Sequence, residues 1–166
     1  MKYFIDTEFE YTAGPAGAAI IPISIGIVAE DGREFYRVNR HVFYGPDWLD
    51  RLPPFVREHV VPVLDATKDN AMPFASIAYD LRFFIGDDTP EFWGEYSAFD
   101  YVVLSTIMGG FEHWPEGWPM WINDLQQDAI PSVESKQPHN ALADARAVRD
   151  SYEWAYGNHP PIDASA

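Results

Sequence analysis

Seven residues near the N-terminus, Tyr3 to Phe9 (YFIDTEF), constrain this chain more than any other stretch. The apolar run Tyr3-Phe4-Ile5 reads as a short buried strand. Side chains alternate faces along a strand, so Asp6 and Glu8 point the same way, with Cα atoms about 6.5 Å apart. Two carboxylates aimed into one space repel each other unless a proton or a cation lies between them. The strand must therefore either end at the surface, with both acids in water, or bring the pair to a hard cation. Which of these holds depends on the acids the rest of the chain supplies.

At 166 residues the chain is long enough for one domain with a real core, and 47% hydrophobic and 16% aromatic residues fit a folded globule rather than a disordered chain. The absence of cysteine excludes a disulfide framework, a thiolate metal site and a thiol nucleophile. No stretch approaches the ~20 apolar residues that span a bilayer, so no membrane partner is expected. An acid at position 6 comes too early for a secretory signal. A soluble cytoplasmic protein is the expectation. With 11 basic against 26 acidic residues, net −15, the surface is unsuited to wrapping nucleic acid along its length. Screening over about 8 Å and bound divalent cations still allow a nucleic acid held at one end.

Glu10 to Ala18 is rich in Gly, Pro and Ala and predicts a loop. Ala19 to Glu30 predicts a strand interrupted at Pro22, where a bulge or bend is expected. Asp31-Gly32 is a hairpin signal, and Arg33 to Val38 returns as a third strand. The prolines between Asn39 and Asp69 permit only short helices, Pro54 to His59 among them. Met72 to Ile85 carries an apolar helical stripe that stops at Gly86. Glu91 to Glu95 predicts a brief strand, and Ala98 to Met108 a buried helix. Met120 to Asn123 predicts a further strand, with Asp124 capping a helix after it. Asn140 opens the last helix as its N-cap, and Gly157 closes it. A three-strand meander followed by alternating helices and strands predicts a mixed α/β sheet with helices on its faces. Residues 1–157 form the expected domain and 158–166 a frayed tail.

Two further acids stand at strand–helix junctions, where sites of α/β sheets gather. Asp100 opens a helix among apolar neighbours, where a buried acid needs a partner. Asp144 lies one turn inside the last helix. If Asn140 is the cap, His139 lies in the loop before it and reaches the same space, with Ala141 and Ala143 leaving room.

These residues in this order resemble a known family. Asp6-Thr7-Glu8 is similar to the first motif, Phe99-Asp100 to the second, and His139-x-Ala141-x-x-Asp144 to the third, of the DEDDh 3′–5′ exonucleases, which include ribonuclease T, oligoribonuclease and proofreading subunits of DNA polymerases. The short length, the Asp-Thr-Glu-Phe opening and the Ile-Ser-Ile-Gly downstream look most like a compact bacterial and phage exoribonuclease subfamily known from a mycobacterial member. Tyr96 stands where many members carry Asn, and Phe9-Glu10 where many have Thr-Gly.

The resemblance implies a ribonuclease-H-like fold and a divalent-metal-dependent 3′–5′ exoribonuclease that releases nucleoside 5′-monophosphates. It implies two Mg²⁺ or Mn²⁺ ions per site, held by Asp6, Glu8, Asp100 and Asp144, with His139 taking a proton from the attacking water. The implied partner is a single-stranded RNA 3′ end or overhang, and the implied assembly a homodimer. Phe9 is the candidate for stacking on the terminal base, with core packing as its alternative, and backbone N–H groups at Thr7 and Glu8 are candidates for holding the 3′-hydroxyl. Ser24 is placed opposite the site. His41, His59, His113 and His159 lack carboxylate partners at metal spacing and are expected to be structural or exposed. A DNA-directed exonuclease, a non-catalytic RNA-end-binding module and a phosphatase for small nucleotides are the alternative readings.

Overall fold

The computed structural model describes residues 1–15 and 17–157; the expected tail at 158–166, with His159, lies outside them. Strands β1 (Lys2–Gly14), β2 (Gly17–Ala29) and β3 (Glu34–Asn39) form an antiparallel meander. A one-turn helix α1 (Trp48–Arg51) and a wide, π-type turn at Val56–Val60 fill the proline-rich segment. There follow β4 (Ala71–Met72), α2 (Phe74–Ile85), β5 (Glu91–Gly94), α3 (Ala98–Met108), β6 (Asn123–Asp124) and α4 (Ala141–Tyr156). The strands make one six-stranded sheet in the order β4-β3-β2-β1-β5-β6, with β4, β5 and β6 running parallel to their neighbours. This is the mixed α/β architecture that the element order predicts.

The alternation along β1 assigns each residue to a layer. Tyr3 and Ile5, with Ile25, Ile27 and Phe35, face a core closed by Ile77 and Leu81 of α2 and by Val103, Leu104 and Ile107 of α3. Phe4 and Val28 face the opposite side, where Ala145 and Val148 of α4 cover them. Helices thus sit on both faces, and Asp6 and Glu8 share a side with Phe4 and α4.

Some boundaries differ from expectation. The predicted Glu10–Ala18 loop is instead largely strand: β1 and β2 stay paired to Gly14↔Gly17. Thr12, Ala13, Ala18 and Ala19 are compatible with extended backbone, and only the turn itself needs Gly and Pro. The expected Met120–Asn123 strand is reduced to β6, because Met120 and Trp121 are exposed and belong to the preceding loop. No helix begins at Asp124; residues 125–129 are turns, since Pro131 and the polar residues before it offer no apolar stripe to bury. The expected irregularity at Pro22 is present: Glu8 pairs with Ser24 but Phe9 with Pro22, leaving Ile23 as the extra residue of a bulge.

One backbone approach sets how deep α4 sits. Gly26, directly across from Asp6 on β2, lies under the first turn of α4. A Cβ at this position would fall 2.3 Å from the carbonyl carbon and oxygen of Ala141 and 2.4 Å from the N of Leu142. Those are backbone atoms that can yield only by moving the helix. Gly26→Ala is therefore expected to cost about 3 kcal/mol or more of stability, measured by urea unfolding, and to reduce activity further by lifting Asp144 and His139 away from β1.

Candidate active site

The carboxylates gather about the middle of β1, in the centre of the sheet. Asp6 and Glu8 come from β1 itself, on the face that α4 covers. Asp144 reaches it from the first turn of α4, whose N-terminus is closed by Asn140: the side-chain oxygen of this cap accepts the Ala143 N–H at 3.1 Å. One oxygen from each of Asp6, Glu8 and Asp144 lies within 4.8 Å of the other two. The shared-face geometry read from the strand period is thus what the fold displays.

Asp100 comes from the other layer. It lies in the first turn of α3, 4% exposed, and its Oδ1 accepts a 2.6 Å hydrogen bond from the Thr7 hydroxyl. Thr7 sits between Asp6 and Glu8 but on the opposite face, so one threonine ties α3 to the acidic strand. Its side chain is buried and engaged with a carboxylate. Gly94 adds room: a Cβ there would lie 3.4 Å from Asp100 Oδ2. Asp124 anchors the approach to α3, accepting from the Ser97 N–H at 2.9 Å, the Ser97 hydroxyl at 3.1 Å and the Gln126 N–H at 2.9 Å. Its expected helix does not exist, and it braces Ser97 and the following turn.

His139 precedes the Asn140 cap in a left-handed backbone conformation, φ 68°. Its N–H donates to Asp144 Oδ2 at 2.8 Å. The ring lies edge-on to Phe55, with centroids 5.1 Å apart, and 5.9 Å from His59. His59 thus adjoins the site, which its lack of a nearby acid in the sequence concealed. Phe9 is partly buried against the α2–α3 core and stacks on Phe99 at 5.4 Å, while Tyr11 meets Phe99 edge-on. Phe99 and Tyr11 are half exposed, so this aromatic group opens to solvent beside the acids.

The sequence reading missed Glu95. Its charge raises the carboxyls of Asp6 and Asp144, and it accepts from Gln126 and Ser132. Its place one residue past β5, at the same sheet edge as Asp100, was the available signal. Ser24, directly opposite Glu8 on β2, and Tyr36 on β3 keep buried hydroxyls without partners on the same side.

Burial is the first cause of every shift in the cluster. It raises Asp6 well above the usual carboxylate range, aided by the charges of Asp100, Glu8 and Asp144. It lifts Glu8 to about 8, with Asp144 and Asp100 adding to it, and Asp100 to about 7 against the opposing Thr7 hydrogen bond. Asp144 is raised by burial too, partly offset by Ser135 and His139. So many acids lifted together mark a site that favours protons or cations over bare charge.

The residues fit a divalent cation. All the donors are hard carboxylate oxygens. Asp144 Oδ1 is buried without a hydrogen-bond partner, while its Oδ2 is occupied by His139.

Fold and site define a hydrolase domain built on a mixed sheet flanked by helices and organised on a carboxylate cluster. The chain belongs to the 3′–5′ exoribonuclease Rv2179c-like domain family, whose model matches residues 1–154. Two relatives from Mycobacterium tuberculosis are the 3′–5′ exoribonuclease Rv2179c of strain H37Rv and the 3′–5′ exoribonuclease MT2234.1 of strain CDC 1551. Each is 35% identical over 156 residues, covering 88% of this chain and 88% of the relative. The chain is thus an enzyme of the 3′–5′ exoribonuclease class. Among the described residues no helix is long and apolar enough to cross a membrane.

The shifts fix a sign for stability against pH in metal-free protein. Each of the four acids has a folded value above its unfolded one, so the folded state holds extra protons between about pH 4 and 8. Their contribution is complete below the unfolded values and is lost as pH rises through about 7 and about 8. With chelator present, Tm is expected to fall by on the order of 5 °C or more between pH 5.5 and 8.5. Excess Mg²⁺ or Mn²⁺ should remove most of that slope by favouring the ionised acids. Calorimetric scans across this range check both parts.

Proposed function

We propose that the chain is a divalent-metal-dependent 3′–5′ exoribonuclease of the DEDDh type on a ribonuclease-H-like fold, with residues 1–157 as the exonuclease domain. It would act in the cytoplasm on single-stranded RNA 3′ ends or overhangs and release nucleoside 5′-monophosphates. The observation that carries this reading is the meeting of Asp6, Glu8 and Asp144 within 4.8 Å, beside an Asp100 tethered by Thr7.

Asp6, Glu8, Asp100 and Asp144 would hold two Mg²⁺ or Mn²⁺ ions. Bound there, the ions would supply charge neutralisation at the scissile phosphate and a more acidic water. The protein's own tasks are distinct. His139, fixed to Asp144 through its backbone, accepts the proton of the attacking water at its ring. The Phe9–Phe99 pair offers a face for the terminal base, a mode of grip that needs no cationic surface and suits a net charge of −15. Backbone N–H groups at Thr7 and Glu8 hold the 3′-hydroxyl. The homodimer that the resemblance implies belongs to the same reading. The preference for RNA rests on what the mycobacterial relatives are named for.

Matched RNA and DNA oligomers, followed by mononucleotide release with Mg²⁺ and with chelator, test the proposal. Wild-type protein is expected to degrade RNA from the 3′ end only with metal. Asp6→Asn should abolish release while leaving the fold intact by circular dichroism. His139→Ala should lower kcat by about 10²–10⁴-fold. Full activity in both variants would refute the assignment, and a DNA preference would redirect the substrate.

A further inference from the structure

The backbone of His139 is pinned, but what aims its ring lies outside α4. The residue takes a left-handed conformation, its N–H is held by Asp144, and the next residue binds the proline-rich segment through Asn140 Nδ2 to the Val63 carbonyl at 2.9 Å. That segment carries the π-type turn at Val56–Val60, a widened turn of the kind that gathers at functional sites. Its Val56 and Val60 are buried with Ile23, Val42 and Leu52, which fixes its inner side to the body of the protein. Its outer side presents Phe55 and His59 to the imidazole.

Phe55 is 55% exposed, so filling a core does not explain it. Its ring contacts are His59, at 4.7 Å and 42°, and His139, at 5.1 Å and 86°. The second of these is edge-to-face, the arrangement that aromatic quadrupoles favour and that constrains both rings. His59 closes the triangle at 5.9 Å from His139. A general base works only when its ring nitrogen is held at hydrogen-bond reach of the proton it takes, and small misplacements cost large factors in rate.

We propose that Phe55, braced by His59, is a positioning residue that orients the His139 imidazole for proton abstraction. This rests on the exoribonuclease reading above and adds to it a part for the π-type turn. Phe55 acts through His139.

The test is a double-mutant cycle on RNA with saturating Mg²⁺. Phe55→Ala is expected to lower kcat on the order of tenfold with KM within about twofold. Phe55→Tyr, which keeps the ring, should restore wild-type kcat, and Phe55→Leu should fall between. In a His139→Ala background, Phe55→Ala should have no further effect, because the group it aims is gone. The Mg²⁺-induced rise in Tm should match wild type in every Phe55 variant. An unchanged kcat in Phe55→Ala would overturn the proposal. So would a raised KM at constant kcat, which would make Phe55 a substrate contact, or an equal loss in the His139→Ala background. Failure of the exoribonuclease reading would look different: no metal-dependent activity in wild type, or full activity in His139→Ala.

Discussion

The cost of holding like charges together out of water governs this molecule. Asp6, Glu8, Asp100 and Asp144 are driven toward protonation chiefly by burial, and Asp6 and Glu8 also by the charges of the other acids. Nothing in the cluster itself would keep it assembled. The surrounding fold supplies the restraint: a strand period that fixes Asp6 beside Glu8, a threonine that holds Asp100, and a capped helix that presents Asp144. The site is therefore a preorganised arrangement maintained against its own repulsion. That repulsion is also what suits the cluster to a small multivalent cation.

Much of this was legible before any coordinates. Period-two alternation identified the face shared by Asp6 and Glu8, and Asn140 was recognisable as a cap because its residue type and the apolar stripe after it agree. Ala98–Met108 and the last helix matched because their patterns are long and their stops are glycines. Features decided by tertiary contact escaped. The outer half of the β1–β2 hairpin has loop-like composition and becomes strand only because its two halves pair. Glu95 lacks a motif and belongs to the site through the parallel pairing of β5 with β1. His59 stands 80 positions from His139 and meets it because the proline-rich segment folds back on α4.

Two of the strained backbone positions lie at the site. His139 and Tyr96 both have positive φ, which costs a side chain with a Cβ energy that glycine would avoid. At His139 the conformation directs the N–H onto Asp144 while leaving the ring on the cleft side, so the distortion has an identifiable return. Tyr96 follows Glu95 immediately and is largely exposed.

The Thr7–Asp100 hydrogen bond has a consequence for how such a protein fails. It binds β1 to α3 on the face opposite α4, so the acids are held in place by two separately packed interiors. A loosening in either one, whether α3 shifting on Ile5, Ile25 and Ile27 of the sheet or α4 riding up over Gly26, would change the spacing of the acids while most of the chain stayed ordered. Turnover should consequently report damage earlier than bulk unfolding does. Substitutions deep in either interior, far from any nucleotide, belong among the changes that silence the enzyme.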